Sequence, residues 1–180
     1  MKYPYFYSCI TVLILFIILI SISGCTAQSS SVNTFKGKTF SVEYPSDWQA
    51  FDAFTISNVP ESNRDIIPEA VIFAPSMKYP TPIVIGVYTY SPSDPFGKQE
   101  AETKLNLISQ ARGTQFSYLG SINISDEQAF EYRSFDPNGN PVKNILFRNG
   151  SRVYYIQSYE AEKNLKLLRE QLLTRLRFLS

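Results

Sequence analysis

The sequence predicts an α/β sandwich of the α+β kind, built on an antiparallel sheet and covered by helices. Three observations predict it. Short segments of strand character follow one another through turn residues instead of alternating one by one with helices. Asn149-Gly150 joins two of them in a two-residue hairpin. Two helical segments, one central and one C-terminal, each carry a single apolar face suited to covering a sheet.

Taken in order, residues 26–36 read as a flexible linker, because AQSSSVNT is small, polar and offers nothing to bury. The domain is expected to span 37–180. In residues 39–44, Phe40, Val42 and Tyr44 alternate with Thr39, Ser41 and Glu43, the period of a half-buried strand. Pro45-Ser46-Asp47 then turns the chain into Trp48. A second short strand is expected near 51–56. Residues 57–68 form a polar loop, 70–74 (AVIFA) a buried strand, 75–82 a proline-rich loop, and 83–90 a β-branched and aromatic strand.

Asp94-Pro95 signals a helix start, and Ala101, Leu105, Ile108 and Ala111 share one face before Gly113 closes the helix. Strands are expected at 116–124, 129–135, 142–148 and 152–159, separated by the turns 125–128, 136–141 and Asn149-Gly150. The last element is a helix over 161–178, with Leu165, Leu168, Leu172 and Leu176 on one stripe.

The N-terminal segment, residues 1–25, is a targeting element. Lys2 is its one charged side chain, and residues 10–22 (ITVLILFIILISI) are apolar but for Thr11 and Ser21. Such a run suits the core of a secretory signal and is short of the ~20 residues a spanning helix needs. It ends in Ile22-Ser23-Gly24-Cys25, which resembles the lipobox of bacterial and archaeal lipoproteins, where the cysteine is lipidated and becomes the new N-terminus. The other reading is an uncleaved transmembrane anchor with Tyr3, Tyr5, Phe6 and Tyr7 as an interfacial aromatic belt. Both keep Lys2 inside and put everything after Cys25 on the extracytoplasmic side of the cell membrane.

Composition removes several function classes. The two cysteines, Cys9 and Cys25, lie in the targeting segment, so the domain has no disulfide, thiol nucleophile or thiolate metal site. Histidine is absent, and with it the commonest general base and metal ligand. Lys plus Arg number 17 against 16 Asp plus Glu. That balance leaves no electrostatic footprint for nucleic acid and no polybasic run for anionic lipid. Membrane contact therefore rests on the anchor.

Gly37-x-x-Phe40-x-Val42-x-Tyr44-Pro45-x-x-Trp48 resembles the opening of PsbP-like domains, named for an extrinsic protein of the photosystem II oxygen-evolving complex. The middle helix, the strand meander and the final helix follow in the same order. The resemblance implies a curved antiparallel sheet in an αβα sandwich, a fold shared with a nuclear Ran-binding protein of the Mog type. It also implies a non-enzymatic partner of a larger assembly. No functional residue is carried over, because Phe40, Val42 and Trp48 read as packing positions and Pro45 as a turn.

Other constellations are bland beside their sharper readings. Asp136-x-Asn138-x-Asn140 has the opening spacing of a calcium loop, but Pro141 stands where the loop glycine belongs, so a plain turn is expected. Asn123-Ile124-Ser125 and Asn149-Gly150-Ser151 are glycosylation sequons, making Asn123 and Asn149 candidate modification sites. Tyr154, Tyr155 and Tyr159 read as sheet packing, with Tyr155 and Tyr159 on one face and Tyr154 on the other. Neither Asp126-Glu127 nor the pair Glu100 and Glu102 has a context that fixes catalytic geometry.

The expectation is a lipid-anchored binding or assembly domain with a protein partner, no cofactor, no metal and no catalytic residue. Its candidate partner-binding residues are Val59, Ile66, Ile67, Met77 and Tyr79, apolar side chains in proline-stiffened loops. The alternative is a small extracytoplasmic enzyme using carboxylates.

Overall fold

Strand pairing begins earlier in the chain than its composition suggests. A computed structural model describes residues 31–57, 66–76, 82–91, 94–160 and 162–179; the side chains of 56–57, 107–112 and 162–164 lie outside that description. In it β1 (Val32–Lys36) pairs antiparallel with β2 (Phe40–Pro45), from Val32 opposite Pro45 to Lys36 opposite Ser41. The expected linker 26–36 is therefore corrected, since its last five residues are a strand. Apart from the half-buried Phe35, β1 is exposed. Backbone pairing holds it, and hydrophobic periodicity could not reveal it.

A larger sheet follows. β3 (Gln49–Asp52), β4 (Glu69–Ala74), β5 (Ile83–Thr89), β6 (Ser117–Ile124), β7 (Glu127–Phe135), β8 (Pro141–Asn149) and β9 (Arg152–Tyr159) pair in the order β3-β4-β5-β9-β8-β7-β6. Every neighbouring pair is antiparallel. The strand expected at 51–56 instead stops at Asp52. That carboxylate accepts the N–H of Phe54 at 3.0 Å and starts the one-turn helix α1 (Ala53–Ser57). The β8–β9 loop is Gly150-Ser151, one residue later than expected, because Asn149 still pairs with Arg152. Gly150 takes φ +59° at the first loop position.

α2 (Lys98–Arg112) starts four residues after Asp94, where the Glu100 carboxylate accepts the Gly97 N–H at 2.8 Å. Its Ala101 and Leu105 are buried against Phe130, Tyr132, Leu146 and Tyr155 on one face of the large sheet. The opposite face packs Val71, Ile85, Ile145, Phe147 and Tyr154 against Phe40, Val42 and Trp48. The C-terminal elements complete that layer, and the result is the expected αβα sandwich.

The final helix is shorter than the expected 161–178. α3 (Glu162–Leu167) widens into π-helical Leu168–Leu173, and Arg177 and Phe178 form β10, paired with Ser41 and Phe40 of β2. From Leu168 on, the leucine stripe repeats every four residues, more than the 3.6 of an α-helix. A widened turn keeps Leu168, Leu172 and Leu176, all buried, toward the sheet. Phe178 then reaches the rings of Tyr154 and Phe147, with centroids 5.0 and 5.9 Å away.

Candidate binding cleft

β7, β8 and β9 finish together at one end of the sheet, with Phe135 opposite Pro141 and Val142 opposite Tyr159. A cleft of about 410 Å³ opens there on the face that carries α2. Period-two alternation along β9 aims Tyr155, Gln157 and Tyr159 into it. Phe116, just before β6, and Phe135, 56 % exposed, add ring surface, and Asp136 with Pro137 forms one wall.

Below the cleft lies a closed polar network. The Tyr155 hydroxyl donates to Asn144 Oδ1 at 2.6 Å, and the fully buried Asn144 Nδ2 donates to Ser134 Oγ at 2.9 Å and to the Val142 carbonyl at 3.1 Å. Every polar atom so used is satisfied, which fixes the Tyr155 ring as a floor. At the wall, Asp136 accepts the N–H of Asn138 at 2.9 Å, the N–H of Asn140 at 2.8 Å and Asn140 Nδ2 at 2.9 Å. The Asn140 side chain, ahead of those backbone amides, lowers the Asp136 pKa. Burial, then the Asp136 charge, raises the Tyr159 pKa. The loop therefore ties its carboxylate to its own amides in a turn. Gln157 differs: half-buried between the two tyrosines, its side-chain amide has no partner among the described residues.

A second depression, about 350 Å³, surrounds Gly37, Lys38, Asp52 and Glu69. Its carboxylates are already engaged. Glu69 accepts the N–H of Lys38 at 3.0 Å, the N–H of Thr39 at 2.8 Å and the Thr39 hydroxyl at 2.5 Å, while Asp52 caps α1. Elsewhere Glu131 meets Lys143 at 2.9 Å, Glu160 meets Arg133 at 2.8 Å, and Glu127 accepts Asn149 Nδ2 at 2.9 Å. Glu100 caps α2, and Glu102 lies 3.5 Å from Lys98. Among the described residues no three His, Cys, Asp or Glu side chains gather as a metal site. Nor is any described helix long and apolar enough to cross a membrane.

The residues singled out from sequence are scattered. Cys25, Val59, Met77 and Tyr79 lie outside the described residues. Ile66 is 63 % exposed, and its carbonyl accepts the Thr89 N–H at 3.0 Å, which places it at the sheet end opposite the cleft. Ile67 beside it is half-buried. Asn123 and Asn149 also lie at that far end. Asn123 is exposed on the edge strand β6, whereas Asn149 is half-buried and donates its amide to Glu127. The tyrosine alternation is readable from sequence, and Gln157 between the two tyrosines is the signal that such a reading misses. Phe116 and Phe135 reach the cleft only through the pairing of β6, β7 and β8.

No family model matches the chain, and no curated protein sequence does. Solved structures do match. The solution structure of cyanobacterial PsbP (CyanoP) from Synechocystis superposes with a TM-score of 0.54 at 10 % identity, covering 80 % of this chain and 88 % of that one. A crystal structure from Bacteroides thetaiotaomicron gives a TM-score of 0.48 at 17 % identity, covering 81 % of this chain and 50 % of that one. The resemblance carried by the Gly37–Trp48 motif is borne out at the level of the fold: this chain has a PsbP-like fold.

Proposed function

We propose that this protein is a membrane-anchored extracytoplasmic lipoprotein whose PsbP-like domain binds a protein partner and performs no chemistry. The observation that carries the reading is the cleft at the end of β7–β9. There ring surfaces of Phe116, Phe135, Tyr155 and Tyr159 surround the uncommitted amide of Gln157. Apolar surface with one or two fixed polar groups is the usual make-up of a recognition site. The carboxylate-based enzyme finds less support. Among the described residues the carboxylate with a displaced pKa, Asp136, is displaced downward, away from the range a proton donor at neutral pH needs. For location the support is the targeting segment, with Cys25 at the end of its apolar run.

The test is a photo-crosslinking phenylalanine analogue at Phe135 in the full-length protein, in its native membrane. A discrete adduct that disappears with Gln157→Ala supports the reading. An adduct of unchanged yield, or none, removes the cleft from consideration.

A further inference from the structure

We propose that the cleft takes a short, uncharged peptide segment in extended form, which adds to the sheet beyond the end of β6 by pairing with the backbone of Phe135. The inference rests on the cleft being the partner-binding site.

The first support is an unfilled strand edge. β6 stops pairing with β7 at Ser117 opposite Arg133, whereas β7 runs on to Phe135, still paired with β8. Ser134 and Phe135 thus border the cleft with no strand on their β6 side. Hydrogen-bonded and open pairs alternate along an antiparallel ladder. The two-residue loops Ser125-Asp126 and Gly150-Ser151 close on the pairs Ile124–Glu127 and Asn149–Arg152, which fixes the phase of that alternation. Odd-numbered residues of β7 therefore bond toward β6 and even-numbered ones toward β8. Two bonds agree with this phase. The Asp136 N–H donates to the Asn140 carbonyl at 3.0 Å, and the Glu160 N–H donates to the carbonyl of Pro141 at 2.9 Å, on its β9 side. Pro141, opposite Phe135, has no N–H to offer in any case. Phe135 consequently aims its N–H and C=O at the place β6 does not reach, where no described residue meets them. One residue of an extended peptide supplies both partners at once.

The outer edge of β6 is a poorer template. A bulge interrupts its register between Tyr118 and Gly120, and a bulge bends and twists an edge strand away from pairing. The register of β7 with β8 is continuous through Ser134 and Phe135.

The second support is the pocket beside that edge. Side chains alternate along an added strand, so a neighbour of the residue paired with Phe135 points to the face that carries α2. The cleft opens on that face, and Phe116 and Val142 give it apolar walls. No lysine or arginine lines it, and the Asp136 charge disfavours an acidic side chain. That carboxylate is held by the amides of its own turn, so the favoured side chain is uncharged. The uncommitted Gln157 amide then donates to a carbonyl of the occupant. Main-chain bonds that give affinity, with a pocket for alternate side chains that gives specificity, are the two parts of recognition by strand addition.

The probes are acetyl-Thr-Thr-Leu-Thr-Thr-amide and its Ile and Phe counterparts, titrated into the full-length protein in detergent micelles. The readout is the Phe135 backbone amide in ¹H–¹⁵N spectra. At least one peptide should shift that signal downfield, saturably, and slow its hydrogen exchange. Replacing the peptide amides by esters one at a time should weaken binding about fivefold or more at one position. Phe135→Pro removes the edge N–H without touching a bond to β8, and should abolish binding that Phe135→Ala retains. Silence of all these peptides at several millimolar overturns the proposal. So does binding that no ester weakens, or shifts along residues 118–124 in place of Phe135, which would move strand addition to the edge of β6. Silent peptides together with a Phe135 crosslink lost in Gln157→Ala overturn the extended peptide alone; silence in both experiments overturns the cleft reading as well.

Discussion

A carboxylate oxygen of Glu69 fills the space a side chain on Gly37 would need: a Cβ built on Gly37 falls 1.7 Å from Oε1 of Glu69. The glycine that opens the Gly37-x-x-Phe40-x-Val42 motif is thus required for close approach, not for an unusual backbone angle. The carboxylate it admits accepts from Lys38 N, Thr39 N and Thr39 Oγ1, and so fastens the β1–β2 turn to β4.

Gly37→Ala should expel that carboxylate and forfeit these bonds. Hydrogen bonds to a charged group are worth ~1.5–3 kcal/mol each, not fully additive, so the loss should be ~3 kcal/mol in urea unfolding. The control is a double-mutant cycle. With Glu69→Ala already in place, adding Gly37→Ala should cost less than it does in the wild type, since the carboxylate is gone and only the Phe35 ring edge, 2.7 Å from the new Cβ, must shift. Strict additivity of the two substitutions would show that they do not act on each other.

Trp48 is 2 % exposed and sits in the core between the two sheets. It follows the Pro45 turn, where its N–H donates to the Pro45 carbonyl at 3.0 Å, and it is the one tryptophan in the chain. Its emission should therefore be blue-shifted in the native protein and move red in a single cooperative step on unfolding. Trp48→Ala should destabilise by ~3–5 kcal/mol. Ready quenching of the native emission by iodide would contradict the burial.

These two residues also show what is legible in the sequence. The apolar alternation in β2, the turn at Pro45 and the burial of Trp48 follow from local pattern, because each depends on residues adjacent in sequence. The Gly37–Glu69 contact does not, since it joins positions far apart, and a lone glycine carries no sign of what fills its space. β1 escapes for another reason: an exposed strand held by its partner's backbone has no apolar period. The end of the last helix is misplaced by sequence because Arg177 and Phe178 have acceptable helix propensity, and pairing with β2 overrides it. In the cleft, Tyr155 and Tyr159 are legible as one strand face, but Phe116 and Phe135 arrive through the register of neighbouring strands.

The Asp136 loop should give the cleft an acid limit. Its carboxyl titrates below the ordinary value of 3.8 in the folded state, chiefly through Asn140. A depressed carboxylate pKa contributes stability that is complete above the unfolded value and is lost as pH falls through the folded one. The Asp136–Asn140 turn should therefore hold above about pH 4 and loosen below it. Carbon-detected NMR should find the midpoint of the Asp136 carboxyl below the ordinary aspartate value. Asn140→Ala should move that midpoint upward, toward the ordinary value. A midpoint that stays put would mean the side-chain amide is not its main support.

The anchor is open to the most direct measurement. Cys25 follows Ile22-Ser23-Gly24 where the apolar run stops, the arrangement in which lipoprotein signals are cut before the cysteine. Intact-mass analysis of the membrane form should show residues 1–24 missing and lipid added to Cys25. Cys25→Ser should then block processing, leaving the longer chain with its apolar run 10–22 intact. The substitution separates the two anchoring modes because a spanning helix does not depend on the thiol. Wild-type protein recovered from the membrane at full length, with the Cys25→Ser variant indistinguishable from it, would establish the uncleaved anchor instead. One cleaved and lipidated species that vanishes with the cysteine would establish the lipoprotein.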